Sequence, residues 1–320
     1  LGTCEEEGTV EEGTDEETGT GEVVVVGGDL EVTLSPMSPK ATTIPGSSNG
    51  LRVAAFDLTA GDSDVTVTQV SLKRVGLSDK DTLDSIALFT SNAKSDNQEN
   101  NTVAQINLDN GGLVVKAGKT VTLYAAVDVS PVSLAAGDEF ALEVMNVVSN
   151  GDVTMSGVVR GATMKVGSVD APKITFATAG SVTNPNLGTK AADIFKFKIQ
   201  GDSNEDVVLH SITFEGNSDA EDALMNFELL EGNKVIATTS MMSGDYLTFD
   251  IKGGLVIQED KNLTYTVRAD VVAGAGDTIT FDIDAALDVS ANSTKFGLGA
   301  SAVLPTTTNP FGSIVVQAGE

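Results

Sequence analysis

The sequence holds almost none of the residues that do chemistry. It has one cysteine and one histidine in 320 residues. One cysteine excludes a disulfide within the chain, and the usual Cys/His zinc sets cannot be assembled. A nucleophile needs a base beside it, and the one imidazole, His210, lies far along the chain from Cys4. No nucleophile elbow, HExxH pattern or phosphate-binding loop occurs. The chain therefore reads as non-catalytic. A glycosidase-type carboxylate pair stays open among 46 acids, but aromatics for stacking sugars are scarce: there is no Trp, and the tyrosines are Tyr124, Tyr246 and Tyr265.

Positive charge is also short. There are 19 Lys and Arg against 46 Asp and Glu, a net charge of −27. Nucleic acid and anionic membranes are met by clustered bases, so neither is an expected partner. No apolar run of about 20 residues is present, so no transmembrane segment is expected. The chain begins at Leu1 rather than Met, and an export signal already removed is the expectation. Together these point to an extracellular, acidic, soluble protein.

What is abundant is Thr, Val, Gly, Asp and Ser, the composition of strands joined by tight turns. Residues 1–22 are an exception: nine acids and no base, with little else but Gly and Thr. Such a stretch cannot bury enough apolar surface to fold alone and reads as a self-repelling tether. Val23, Val24, Val25 and Val26 follow it, a short strand-forming run.

An internal repeat organises the rest. Ala55-Phe56-Asp57-Leu58 matches Lys196-Phe197-Lys198-Ile199, and Gly61-Asp62-Ser63 matches Gly201-Asp202-Ser203. Gly111-Gly112-Leu113 matches Gly253-Gly254-Leu255 at an offset of 142. Matches in order over more than 100 residues define two copies of one unit. The copies share a fault in phase. Val65 and Val67 are odd while Val70 and Leu72 are even; Val207 and Leu209 are odd while Ile212 and Phe214 are even. Strand side chains alternate strictly, so a shared slip predicts one inserted residue, a β-bulge, in both copies, with His210 at the second. Short strands with turn residues every 8–12 positions predict an all-β fold: two tandem Ig-like β-sandwich domains. The expected division is a tether plus apolar strand at 1–27, domains at 28–168 and 169–303, and a linker with a terminal strand at 304–320.

Three kinds of candidate site follow. Calcium takes six to eight oxygens, often from one loop. Candidate ligands are Asp62 and Asp64, then Asp79, Asp81 and Asp84, then Asp202, Glu205 and Asp206. The competing reading is that these acids cap turns and stay solvated. Sequons at Asn100, Asn262 and Asn292 are candidate glycosylation sites. Cys4 sits where a lipoprotein box would place it, though Thr3 departs from the pattern. The third kind is strands for assembly: Val23 to Val26 at one end, and Ile314, Val315 and Val316 within 313–317 at the other.

The run at 41–58, then Gly61-Asp62-Ser63-Asp64-Val65-Thr66-Val67, then Val70-Ser71-Leu72-Lys73-Arg74-Val75-Gly76, resembles the repeated β-sandwich domains of cell-surface and S-layer-type proteins of candidate-phylum bacteria. Gly118-Lys119-Thr120-Val121-Thr122-Leu123 fits the same rhythm. The second copy departs from it, with Glu215-Gly216 in place of Lys73-Arg74-Val75-Gly76. The resemblance implies a surface location and a structural or adhesive role, and it brings no catalytic residues. The expectation is a subunit of an extracellular filament or surface layer, partnered by copies of itself and joined by donation of an end strand. The alternative is an adhesin or glycan-binding module whose partners are surface glycans.

Overall fold

A computed structural model of the protein describes residues 28–90, 94–99, 102–108, 111–306 and 311–319, with backbone alone at 94–99. The described residues form two β-sandwiches. The strands of sandwich 1 are β1 Leu30–Leu34, β2 Thr42–Gly46, β3 Leu51–Ala60, β4 Val65–Val75, β5 Leu83–Phe89, β6 Lys94–Glu99, β7 Val103–Asn107, β8 Leu113–Val115, β9 Thr120–Val129, β10 Glu139–Ser149, β11 Val153–Met155 and β12 Met164–Asp170. Those of sandwich 2 are β13 Lys173–Thr178, β14 Ala192–Gln200, β15 Val207–Gly216, β16 Leu224–Glu231, β17 Lys234–Thr239, β18 Tyr246–Ile257, β19 Asn262–Val271, β20 Thr278–Asp282, β21 Val289–Ser293, β22 Ser301–Val303 and β23 Ser313–Val315. A short helical turn forms in sandwich 2, at Ala220–Ala223.

The sheets of sandwich 1 run β11-β1-β3-β9-β5-β6 and β2-β12-β10-β4-β7, with β8 also on β4. The first strand crosses from one sheet to the other at β1 and β2, and β2 pairs in parallel with the closing strand β12. The core strands follow the A-B-E-D and G-F-C orders of the immunoglobulin fold. Sandwich 2 repeats this order: β22-β13-β14-β19-β16-β17 in one sheet, β18-β15-β20-β23 with β21 on β15 in the other. The parallel A–G contact is reduced there to one bridge, Asn186 with Gln317.

The shared bulge lies where the phase slip places it. Register along β4 skips Thr68, between Val67 and Gln69. Along β15 it skips His210, between Leu209 and Ser211, against both neighbours. Val67 faces Leu113, and Leu209 faces Leu255. The preceding glycines make these pairings fit. Gly112 and Gly254 have φ of +104° and +76°, and a Cβ there would lie 2.5 Å from the Val67 carbonyl oxygen and 2.3 Å from Val208 Cγ1.

One expectation is corrected. Residues 313–317 are not a spare strand beyond the second domain. β23 pairs antiparallel with β20 through Thr278–Val315, Ile279–Ile314 and Thr280–Ser313. Ile314 and Val316 are 1% exposed. In the repeat β23 stands where β12 stands in sandwich 1, as the last strand, so sandwich 2 runs to Gln317 rather than 303. Burial of two β-branched side chains in its own core is what holds it there.

The cores differ in kind. Sandwich 1 is filled mainly by Val, Leu, Ile and Ala, with Phe56 and Phe140. Sandwich 2 packs Phe176, Phe195, Phe197, Phe214, Phe249, Phe281, Phe311 and Tyr265 into one cluster. Phe197 touches five of those rings at centroid distances of 5.3–6.3 Å.

Candidate functional site

The acidic loops do not converge. Among the described residues no group of three or more Asp, Glu, His or Cys is placed to hold a metal. Most of the candidate carboxylates serve their own turns. Asp64 accepts from Lys116 Nζ at 2.8 Å and the Ala117 amide at 2.9 Å, and the Lys116 bond holds its carboxyl below the ordinary value. Asp79 accepts from the Asp81 amide, Asp81 from Lys80, and Asp84 from Ser130 Oγ. Asp202 accepts from the Lys173 and Asn204 amides. Burial alone would raise Asp202, but these bonds and Lys295 outweigh it and keep it low. Glu205 is buried and collects Ser293 Oγ and the Lys295 amide, while Asp206 takes the Glu259 amide. Asp62 lies in the exposed turn before Asp64. Carboxylates bound at these separate corners do not, among the described residues, make up one cation's ligand set.

Of the sequons, Asn262 is exposed at the start of β19. Asn292 is half-buried, with Nδ2 3.0 Å from His210 Nε2 and Oδ1 accepting from the Gly299 amide. Asn100, Cys4 and Val23 to Val26 lie outside the described residues.

The feature that the site search in the sequence missed is the junction of the two sandwiches. Two residues, Ala171 and Pro172, join β12 to β13. Both are tied: the Ala171 amide donates to Gly46 O at 2.8 Å, and Pro172 O accepts from the Ser301 amide at 2.7 Å. The turn 47–50 of sandwich 1 then seats on sandwich 2. The Asn49 amide donates to Ala300 O at 2.8 Å, and Asn49 Oδ1 accepts from the Ala302 amide at 2.9 Å. Gly50 has φ +56°, and a Cβ there would lie 2.4 Å from Val289 O. Beside this turn Ala87, Phe89 and Ala126 bury Leu287, flanked by Tyr124 and Ala285.

The seam also buries charge. Arg52 lies 4.7 Å over the Tyr124 ring. Burial lowers its pKa, against the fields of Asp250 and Tyr124. His210, the bulge residue, is lowered first by burial and then by Arg52. Asp128 on β9 is 8% exposed and accepts from the Gly50 amide at 3.0 Å, so it holds the docking turn from beneath. Burial pushes its carboxyl up to about 6.

Sandwich 2 has the same turn, and among the described residues no second sandwich packs on it. The Ala191 amide donates to Asp270 Oδ1 at 2.9 Å, and Ala191 has φ +48°. Asn226, the Ala191 amide and Lys190 hold the Asp270 carboxyl down to about 2. Beside this turn a cleft of about 440 Å³ opens, lined by Ser181, Thr183, Asn184, Thr189, Asp193 and Lys196 with Val182, Pro185 and Ala192. Asp193 is shared by Lys196 at 3.0 Å and Arg268 at 2.7 Å. In sandwich 1 the chain after β1 is tied to β3, with Ser38 Oγ accepting from the Ala55 amide.

No family model matches the chain, and no curated protein matches it. Solved structures show slight likeness. The partial N-terminal region of enterococcal surface protein is 10% identical, covering 90% of this chain and 94% of that one, with TM-score 0.24. The C-terminal domain of the Streptococcus agalactiae AgI/II polypeptide BspA is 9% identical, covering 80% and 96%, with TM-score 0.17. The calcium binding domain CBD12 of CALX1.1 is 10% identical, covering 78% and 79%, with TM-score 0.25. The candidate-phylum source implied by the resemblance has no support among them, and the fold stands on the strand order given above.

Proposed function

We propose that the chain is a structural, non-catalytic subunit of an extracellular assembly, a filament or surface layer built from copies of itself. The observation that carries this reading is the junction. A two-residue proline linker, backbone bonds across the seam and a buried apolar contact join the two sandwiches into one stiff unit, which is what a strut requires. The seating of β23 in its own sandwich removes the C-terminal segment from the list of donors, so strand donation falls to Val23 to Val26, preceded by the acidic tether. A strand given head-to-tail to an exposed sheet edge propagates without closing. The test is deletion of residues 1–27 with negative-stain microscopy and sedimentation. Polymers should disappear while the monomer stays folded. Undiminished polymers in the deletion variant would move assembly to side-by-side packing of sandwiches.

A second reading, an adhesin or glycan-binding module, is favoured by one observation, the cleft beside Asp193. Hydroxyls of Ser181, Thr183 and Thr189 and the ion cluster at Asp193 offer the mixed donors and acceptors that a sugar needs. Lys196→Ala with Thr189→Ala should abolish binding to a glycan array without altering polymers. Array binding that survives both changes would remove the cleft from the account.

A further inference from the structure

We propose that the joint between the two sandwiches is a proton-operated latch, in which Asp128 takes up the proton and the Asn49-Gly50 turn docks or releases. The inference concerns this chain's own hinge and does not depend on what the chain assembles with.

The geometry supplies each part. Asp128 lies beneath the turn that plugs into sandwich 2, accepting from the Gly50 amide at 3.0 Å, with the Asn49 side chain among the groups that act on its carboxyl. Asn49 is also the residue that bonds to Ala300 and Ala302 across the seam. The carboxyl thus holds the turn at Gly50, one residue from the Asn49 contact that closes the joint. Opening the seam would let water reach it. In the repeat Asp270 makes the same bond to its turn, and Asn226, the Ala191 amide and Lys190 hold its carboxyl down to about 2.

The sign follows from linkage. A carboxyl raised to about 6 when docked prefers its neutral form there, so docking is favoured below its ordinary titration range and weakens as pH rises through 6. With an ordinary value in the released state, docking is about tenfold tighter at pH 5 than at pH 7. Asp84 on β5 is the charged neighbour that adds to the effect of burial. The other titratable groups of the seam are Arg52 and Tyr124 from sandwich 1 and Asp250, Asp288 and His210 from sandwich 2. His210 works the other way. Its buried neutral form beside Arg52 resists protonation, so docking is tightest in a mildly acidic window and falls again at lower pH.

Amide hydrogen exchange of the whole chain reads the latch directly, because the Asn49 and Ala302 amides are bonded only while it is closed. After correction for the intrinsic rate, their protection should fall about tenfold from pH 5 to pH 7, while that of the Ala191 amide, at the free tip, stays level. In Asp128→Asn the fall should vanish. Equal protection at both pH values in the wild type, or the same fall in the variant, overturns the proposal. Should the variant not fold, the carboxyl carbon of Asp128 in the wild-type chain decides by NMR: a midpoint near 6 supports the latch, and one in the ordinary aspartate range overturns it.

Discussion

Two copies of one sandwich, in the same strand order, treat the same aspartate in opposite ways. Asp128 and Asp270 each hold a left-handed residue at the tip of their domain through its amide. One is buried beneath the docking turn and stands at about 6; the other is paired with Lys190 and stands at about 2. The bond to the turn is the same, but the neighbours differ: Asn226 and Lys190 act on Asp270, burial and Asp84 on Asp128. The difference is set by what surrounds each carboxyl, and it shows that a repeat keeps backbone duties while leaving electrostatics to the neighbours.

The comparison can be broken hardest in the cores. Phe197 and Phe56 stand at matching positions on β14 and β3, but only Phe197 sits among five other rings. Phe197→Ala should cost about 4–5 kcal/mol and Phe56→Ala about 3 kcal/mol in chemical denaturation, since ring contacts add to the area term. Equal losses would show that the aromatic cluster adds nothing beyond burial. At the tips, Gly50→Ala should cost about 2 kcal/mol or more, because its Cβ meets a carbonyl oxygen at 2.4 Å. Calorimetry should then resolve two transitions in place of one. Ala191→Gly, at the free tip with φ +48°, should stabilise by up to about 1 kcal/mol as left-handed strain is relieved. Two transitions in the wild type would show that the seam does not couple the sandwiches.

Smaller effects sharpen the contrast. Asp270→Asn should lower Tm at neutral pH, with the loss fading as pH falls toward 2, because a carboxylate held low contributes above its titration range. Excess chelator should leave the melting curve where it is, since the carboxylates of the acidic loops are bound to their own turns. A fall in Tm on chelation would restore a calcium site.

The sequence by itself determined the two-sandwich fold, the repeat and the bulge. Strand alternation leaves no freedom once Val67 and Val70 must both point inward, so a shared slip has one structural meaning. It also held an unread signal of the junction. Ile86-Ala87-Leu88-Phe89 and Ala125-Ala126-Val127 lack polar alternation, the mark of strands covered on both faces, while their counterparts carry Glu228 and Arg268. Only the tertiary structure decided which sandwich owns Ser313–Val315, which of two like tips is docked, and hence where Asp128 titrates. Those outcomes depend on contacts between residues distant in sequence, 78 positions apart for Gly50 and Asp128 and 253 for Asn49 and Ala302, and local pattern carries no information about what comes to rest on an exposed face.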